Sequence, residues 1–288
     1  MTDAHQSQLG KGTEYDQSYS PEILFPLDRK QNRESLNLSA DIPFHGEDRW
    51  TCYELSWLNS KGKPQAAIAY FSIPCDSPYM IESKSFKLYL NSFNHLSFKD
   101  ASAVERLLSK DLSAAAGGIV SVEVLALKDT RHHVAENLCQ GSSAEESLYA
   151  SAECIDEIDA EDFEYQPNPE LLKTVPGGVE VNETLYSDLL RSNCPVTGQP
   201  DWGTVFIHYA GQQIDRESLL KYIVSFRQCQ DFHEHCVERI FIDLLQYCHC
   251  DSLSVYARYT RRGGLDINPY RATADLKART ESLRTPRQ

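Results

Sequence analysis

The chain has 288 residues, 41% of them hydrophobic, and a formal charge of -14 at pH 7. That length can bury a sizeable core, most simply as two domains, without disulfide staples. So acidic a chain is not a general polyanion binder, because phosphate backbones require a clustered cationic face, and no window reaches the roughly 18 apolar residues that cross a bilayer.

In chain order, the first 45 residues are polar and proline-punctuated, an arm with little periodicity of its own. Its opening, MTDAHQSQLGKGTEYDQ, has neither a charged start nor an apolar run of signal-peptide length, so the chain is expected in the cytoplasm with its nine cysteines reduced. WTCYELSWL (50–58) and QAAIAYFSI (65–73) alternate like half-buried strands joined by a Lys-Gly-Lys-Pro hairpin. ESKSFKLYLNSF (82–93) and DASAVERLLSKDL (100–112) read as helices, and GIVSVEVLAL (118–127) as a closing strand. The run EESLYASAECIDEIDAEDFEYQPNPE (145–170) contains no lysine or arginine and reads as a solvated acidic connector. WGTVFIHYA (202–210), ESLLKYIVSF (217–226), HEHCVERIFIDLLQYC (233–248) and LSVYARY (253–259) then repeat the strand and helix pattern.

The repetition extends to single residues. SFKLYLNSF (85–93) returns 133 positions later as SLLKYIVSF (218–226), with Ser, Tyr, Ser and Phe in register, and Glu105-Arg106 and Ser121-Val122 recur at the same offset. Strands on either side of a helix pair define an α+β fold, with the helices on one face of antiparallel sheets. The expected organisation is an arm (1–45), a first module (46–135), the acidic connector (136–180) and a second module (181–288).

Differences between the copies mark candidate chemistry. Cys194 lies in SNCPVTGQPDW (192–202), opposite Leu58 or Asn59, where Pro195, Gly198 and Pro200 form a turn expected to leave side chains accessible. His233-Glu234 stands where the first copy has Asp100-Ala101. Division of the polar groups between the halves suggests one composite site. The cysteine- and histidine-rich run 229–250 lacks paired CxxC knuckles and reads as packing rather than a zinc site. Lys84 and the cluster Arg258, Arg261, Arg262 with Gly263-Gly264 offer cations and backbone donors to an anion such as phosphate.

ESKSFKLYLNSFN (82–94), SNCPVTGQPDW, FHEHCVERIF (232–241) and YTRRGGLDINP (259–269), with LGKGTEY (9–15) and IPFHGEDRW (42–50), resemble the NADPH-dependent 7-cyano-7-deazaguanine reductases of queuosine biosynthesis, in their long two-module form. The resemblance implies tandem tunnelling-fold units and a homodimer. It also implies a small-molecule deazapurine substrate, with no direct contact to nucleic acid or membrane. Under it, Cys194 is the nucleophile and Asp201 the proton donor. Ile81, Glu82, Ser83, His233 and Glu234 hold the substrate. Ser83, Lys84, Arg262 and Gly263 hold NADPH, and no metal takes part. The chemistry is coherent: a nitrile carbon accepts hydride reluctantly, whereas a thiolate adds to give a more electrophilic thioimidate, and the nitrogen then requires a proton. Two alternatives remain open at this stage, a zinc-dependent GTP cyclohydrolase-like enzyme of the same fold and a catalytically silent purine-binding module.

Overall fold

The computed structural model describes residues 19–38, 42–128 and 152–274. Two compact units divide the chain, and the division is discontinuous. The described residues of the first unit fall within 19–38, 47–128 and 261–267; those of the second fall within 42–46, 152–260 and 268–274.

In the first unit, β2 (His45–Leu58, of which 47–58 belong here) pairs antiparallel with β3 (Pro64–Pro74), and β3 pairs with β5 (Ser121–Ala126). Two helices, α2 (Ser83–Ser92) and α3 (Ala101–Ala116), pack on these strands. Phe86 of α2 sits between Trp50 and Phe71, with ring centroids 5.1 Å from each. Burial of such a ring contributes about 1.5–3 kcal/mol. Helix α3 stops at Gly117, whose φ of +69° is left-handed; a side chain there would also strike Pro78.

Residues 19–38, read from sequence as part of an arm, belong to this unit. β1 (Pro26–Asp28) pairs with β4 (Tyr79–Ile81), and α1 (Arg29–Glu34) follows. Arg29 forms a buried ion pair with Asp48 at 2.5 Å. Elements of three and six residues are too short to show a period, which is why the sequence pattern concealed them.

The second unit repeats the plan. β7 (Glu180–Asn193), β8 (Pro200–Gln212) and β9 (Ser252–Tyr259) form an antiparallel ladder with α4 (Arg216–Ser225) and α5 (His233–Cys248). β6 (Ala152–Cys154) adds parallel to β7, and β10 (Leu265–Ala272) pairs with β9 through residues 270–272. Strands β7 and β10 were not anticipated. The described part of the acidic connector leaves most of its carboxylates exposed but is anchored at its start: Glu153 pairs with Arg216 at 2.7 Å, Asp156 accepts from Ser187 Oγ at 2.6 Å and from the Asp188 amide at 2.8 Å, and Ile155 is buried.

The repeated residues make repeated bonds. Tyr89 Oη donates to Asp111 at 2.7 Å, and Tyr222 Oη to Asp243 at 2.6 Å. Ser92 and Ser225 each donate to the carbonyl of that tyrosine at 2.6 Å. Ser85 Oγ accepts from the Phe25 amide at 3.0 Å, and Ser218 Oγ from the Lys173 amide at 3.1 Å. Even the bulge recurs, between Cys52 and Leu55 in β2 and between Ser187 and Leu190 in β7. Each unit therefore has the antiparallel-strand and helix-pair build of the α+β fold expected from the sequence pattern.

Candidate active site

Cys194 follows the last residue of β7, in the turn to β8. Its amide donates to the Gln199 carbonyl and its carbonyl accepts from Gly198, both at 2.9 Å. In the first unit Asn59 makes the same two backbone bonds, to Lys63 and from Gly62, but its side chain also caps the turn by accepting from the Lys61 and Lys63 amides at 2.9 and 3.0 Å. The second copy thus has a thiol where the first has a turn-forming amide, and nothing in the turn's bonding requires sulfur. The expectation of an accessible thiol is corrected: Cys194 is 5% exposed, because the hairpin end is covered by the segment leading into α5.

Strand periodicity places the neighbours. Ser192 lies directly across from Asp201, and the ladder ends one pair later at Asn193 and Pro200, so Cys194 opens the turn next to this pair. Gly203, two residues beyond Asp201, is on the same face, and Tyr259 lies across from Gly203. One face thus carries Ser192, Asp201 and Tyr259, with Cys194 at the hairpin end, and Asp201 is buried at 4%. The start of α5 covers it. His233, first residue of the helix, stacks its ring on Tyr259 with centroids 3.7 Å apart and planes 9° apart, and its Nε2 is 3.4 Å from Asp201 Oδ2. Glu234, next in the helix, is 4% exposed.

The segment before α5 is tied to the residue beside the thiol. Asn193 N donates to the Cys229 carbonyl at 2.8 Å, and Asp231 N donates to the Asn193 carbonyl at 3.1 Å. Asp231 also accepts from the Phe232 amide at 2.9 Å and pairs with buried His235. A thiol pair lies near: a hydrogen bond with Cys236 holds the Cys229 thiol below its ordinary range, while the same bond and burial push Cys236 well above it. Tyr259, fully buried, is likewise driven well above the usual phenol range by desolvation, with the charges of Cys236 and Asp201 acting in the same sense. Sequence reasoning missed Tyr259, Asn193 and Asp231; only the Asp-to-His spacing of four at 231 and 235 could have signalled part of this arrangement.

The remaining candidates lie in the first unit. Glu82 is the N-cap of α2, its two carboxylate oxygens accepting from the Lys84 amide at 2.6 Å and the Ser85 amide at 2.8 Å, and it is 1% exposed. Ile81 ends β4 and is buried, while Ser83 and Lys84 open α2 half-buried. Arg262 and Gly263 lie in the turn before β10, which has left-handed φ at Gly263 (+59°) and Gly264 (+71°), and a side chain at Gly263 would come within 3.4 Å of Lys87 Cδ. Arg261 stands over the Tyr53 ring at 4.7 Å. Arg258, grouped with these cations from sequence, is instead buried in the second unit, donating to Tyr256 Oη at 3.0 Å. Among the described residues no group of three or more His, Cys, Asp or Glu side chains is arranged to hold a metal ion.

Comparison with known proteins gives the class. A family model described as "Nitrile reductase, 7-cyano-7-deazaguanine-reductase N-term" matches residues 15–124, and one described as "QueF-like protein" matches residues 200–278. A protein of Hahella chejuensis named NADPH-dependent 7-cyano-7-deazaguanine reductase is 52% identical over 98% of this chain and 98% of its own length. One of the same name from Dechloromonas aromatica is 53% identical over 96% of this chain and 93% of its own length. The chain belongs to the NADPH-dependent 7-cyano-7-deazaguanine reductase family.

Proposed function

We propose that this protein reduces the nitrile of 7-cyano-7-deazaguanine to the aminomethyl group, with two NADPH, through a thioimidate on Cys194, as a step in queuosine biosynthesis. The observation that carries the reading is the burial of Cys194 and Asp201 at one end of the β7–β8 hairpin, with His233 Nε2 3.4 Å from the Asp201 carboxyl. Cys194 Sγ bonds to the nitrile carbon, and its thiol proton passes to the Asp201–His233 pair, replacing the one that goes to nitrogen. The carbon–nitrogen triple bond becomes double, and Asp201 supplies the proton that the nitrogen takes. His233 stands where it can return a proton to Asp201. Burial of the thiol keeps water from the imidate, which would otherwise hydrolyse.

Glu234 accepts hydrogen bonds from the ring N–H and the exocyclic amine of the guanine-like edge, and Ile81, Glu82 and Ser83 complete recognition. Glu82 does so with a carboxylate already fixed as a helix cap, so its geometry is set before ligand arrives. A ligand lacking those donors leaves a desolvated carboxylate with a poorer partner, a penalty of ~1–3 kcal/mol.

The Gly263-Gly264 turn beside Lys87, with Arg262 and the first turn of α2 bearing Ser83 and Lys84, suits the phosphates of a dinucleotide through its cations. NADPH held by these residues would supply the hydride for each of the two reductions. The protein acts on the free base as a cytoplasmic homodimer of the modules 46–135 and 181–288, not on the nucleic acid, and its net charge of -14 supports that last point. Counting NADPH oxidised against aminomethyl product tests the proposal. Two per product is the expected ratio; one per product, or oxidation without product, rejects it.

A further inference from the structure

The two copies of the fold close their long hairpins with the same backbone bonds. The Asn193 amide donates to the Cys229 carbonyl at 2.8 Å, and the Asn193 carbonyl accepts from the Asp231 amide at 3.1 Å. In the first copy the Leu58 amide donates to the Leu96 carbonyl at 2.8 Å, and the Leu58 carbonyl accepts from the Phe98 amide at 2.9 Å. Each pair of bonds lays a short segment parallel to the strand end, at the Asn193–Gln230 and Leu58–Ser97 bridges. The backbone bonds alone suffice to build this junction, because the first copy makes them with a leucine.

The second copy adds side-chain ties at the same place. Asn193 Nδ2 donates to the Arg227 carbonyl at 3.3 Å, with the Cys229 carbonyl at 3.5 Å, and its Oδ1 accepts from Arg191 Nη2 at 3.1 Å. Arg191 lies across the ladder from Trp202, with its guanidinium carbon 5.4 Å from that ring's centroid. Arg227, in the helical turn Phe226–Gln228, stands 5.6 Å from the same ring. The ties form a closed circuit from Asn193 to Arg227, Trp202, Arg191 and back, joining β7, β8 and the segment before α5. At the matching positions the first copy has Leu58, Asn94, Ala66 and Ser56. The four residues of the circuit thus differ as a set between the copies, and the set lies beside the copy's distinctive thiol, Cys194, which follows Asn193 directly and is 5% exposed.

We propose that Arg191, Asn193, Trp202 and Arg227 are positioning residues, a clamp that keeps the 229–231 segment closed against the hairpin end and so fixes Cys194 for attack on the nitrile; this rests on the reading of Cys194 as nucleophile. Arg191 orients the Asn193 amide, whose Nδ2 then holds the segment through the Arg227 and Cys229 carbonyls. Helix α5 keeps its own place through Val237, Ile240, Phe241 and Leu244, all fully buried, so loosening the clamp displaces the thiol more than it displaces Glu234.

The test is Asn193→Leu, which installs the first copy's residue. Iodoacetamide labelling without ligand, read by peptide mapping, should modify Cys194 about 10-fold faster than in wild type, with Cys248, buried at the far end of α5, labelled as before. Thioimidate formation, followed by quenching mixtures of enzyme and 7-cyano-7-deazaguanine without NADPH and weighing the intact protein, should slow ~10–100-fold, the signature of a misplaced nucleophile. Affinity, from calorimetry in a Cys194→Ala background, should stay within about threefold. Arg191→Met should change labelling and rate in the same directions, and the double variant should show less than the product of the single effects. Labelling or adduct rate within about twofold of wild type in Asn193→Leu, an equal rise at Cys248, affinity lost in step with rate, or strictly multiplicative single effects overturns the proposal.

Should Asn193→Leu fail to fold, the wild type decides by hydrogen exchange. The Asn193 and Asp231 amides, corrected for sequence, should exchange about 10-fold or more slowly than the matching Leu58 and Phe98 amides, which make the same backbone bonds without the clamp. Equal or faster exchange refutes the clamp. A wild type that forms no adduct removes the nucleophile reading and this inference with it, whereas a wild type that forms adduct beside an unaltered Asn193→Leu removes this inference alone.

Discussion

Replacing Asp201 by asparagine keeps the shape of a side chain that is 4% exposed and faces His233 at 3.4 Å, while removing its ability to give up a carboxyl proton. General acid catalysis contributes about 10²–10⁴-fold, or ~3–5.5 kcal/mol of barrier. Water substitutes poorly for a buried donor, because the carboxyl lies on a covered ladder face, so the loss in thioimidate formation should fall in the upper half of that range, about 10³-fold or more. Ligand affinity should change by no more than about threefold, since the amide fills the same volume and Glu234, the carboxylate proposed to bind the purine, is untouched. Quenched mixing followed by intact mass reads the rate, and calorimetry in a Cys194→Ala background reads the affinity. Equal losses in rate and affinity, or a rate within about twofold of wild type, would refute the assignment of Asp201.

Glu234→Gln should weaken affinity for the nitrile by ~1–3 kcal/mol, about 5- to 150-fold, read by the same calorimetry; wild-type affinity would remove Glu234 from the site. The duplicated tyrosine bond provides an internal control for stability. Asp111 accepts from both Tyr19 (2.6 Å) and Tyr89 (2.7 Å), whereas Asp243 accepts from Tyr222 alone, so Tyr222→Phe should cost ~1.5–3 kcal/mol in thermal or urea unfolding and Tyr89→Phe clearly less. Burial raises the Asp243 carboxyl above its ordinary 3.8, against the opposing pull of the Tyr222 hydroxyl and Arg239. The native chain therefore holds that proton more tightly than the unfolded chain, and this contribution to stability is full below the ordinary carboxylate value and is lost as pH rises through the raised one. Unfolding followed across that interval should show Asp243→Asn flattening the decline. Finally, α5 ends at His249 in a left-handed conformation (φ 52°) where α3 ends at Gly117, so His249→Gly should raise stability by ~0.5–1 kcal/mol in urea unfolding.

Much of the architecture could be read from local pattern because the duplication preserved bonds as well as letters. Ser85, Tyr89 and Ser92 match Ser218, Tyr222 and Ser225 because each makes the same contact in both units. Strand β10 escaped because Pro269 sits inside it, where a sheet interior usually forbids proline, and β7 because polar residues outnumber apolar ones along it. At the site, Cys194, Asp201 and His233 stood out as residue types, but the approach of His233 to Asp201 depends on how α5 crosses the ladder. No spacing along the chain encodes that crossing. Tyr259 looked like one more strand residue for the same reason, and the burial of Cys194 follows from the 229–231 segment folding over a turn that looked open.

The most direct measurement is the intact mass of the protein after mixing with 7-cyano-7-deazaguanine in the absence of NADPH, followed by peptide mapping. The account predicts one added nitrile molecule per chain, carried by the peptide containing Cys194 and absent in Cys194→Ala. An unmodified wild type, or an adduct that survives in Cys194→Ala, would contradict it.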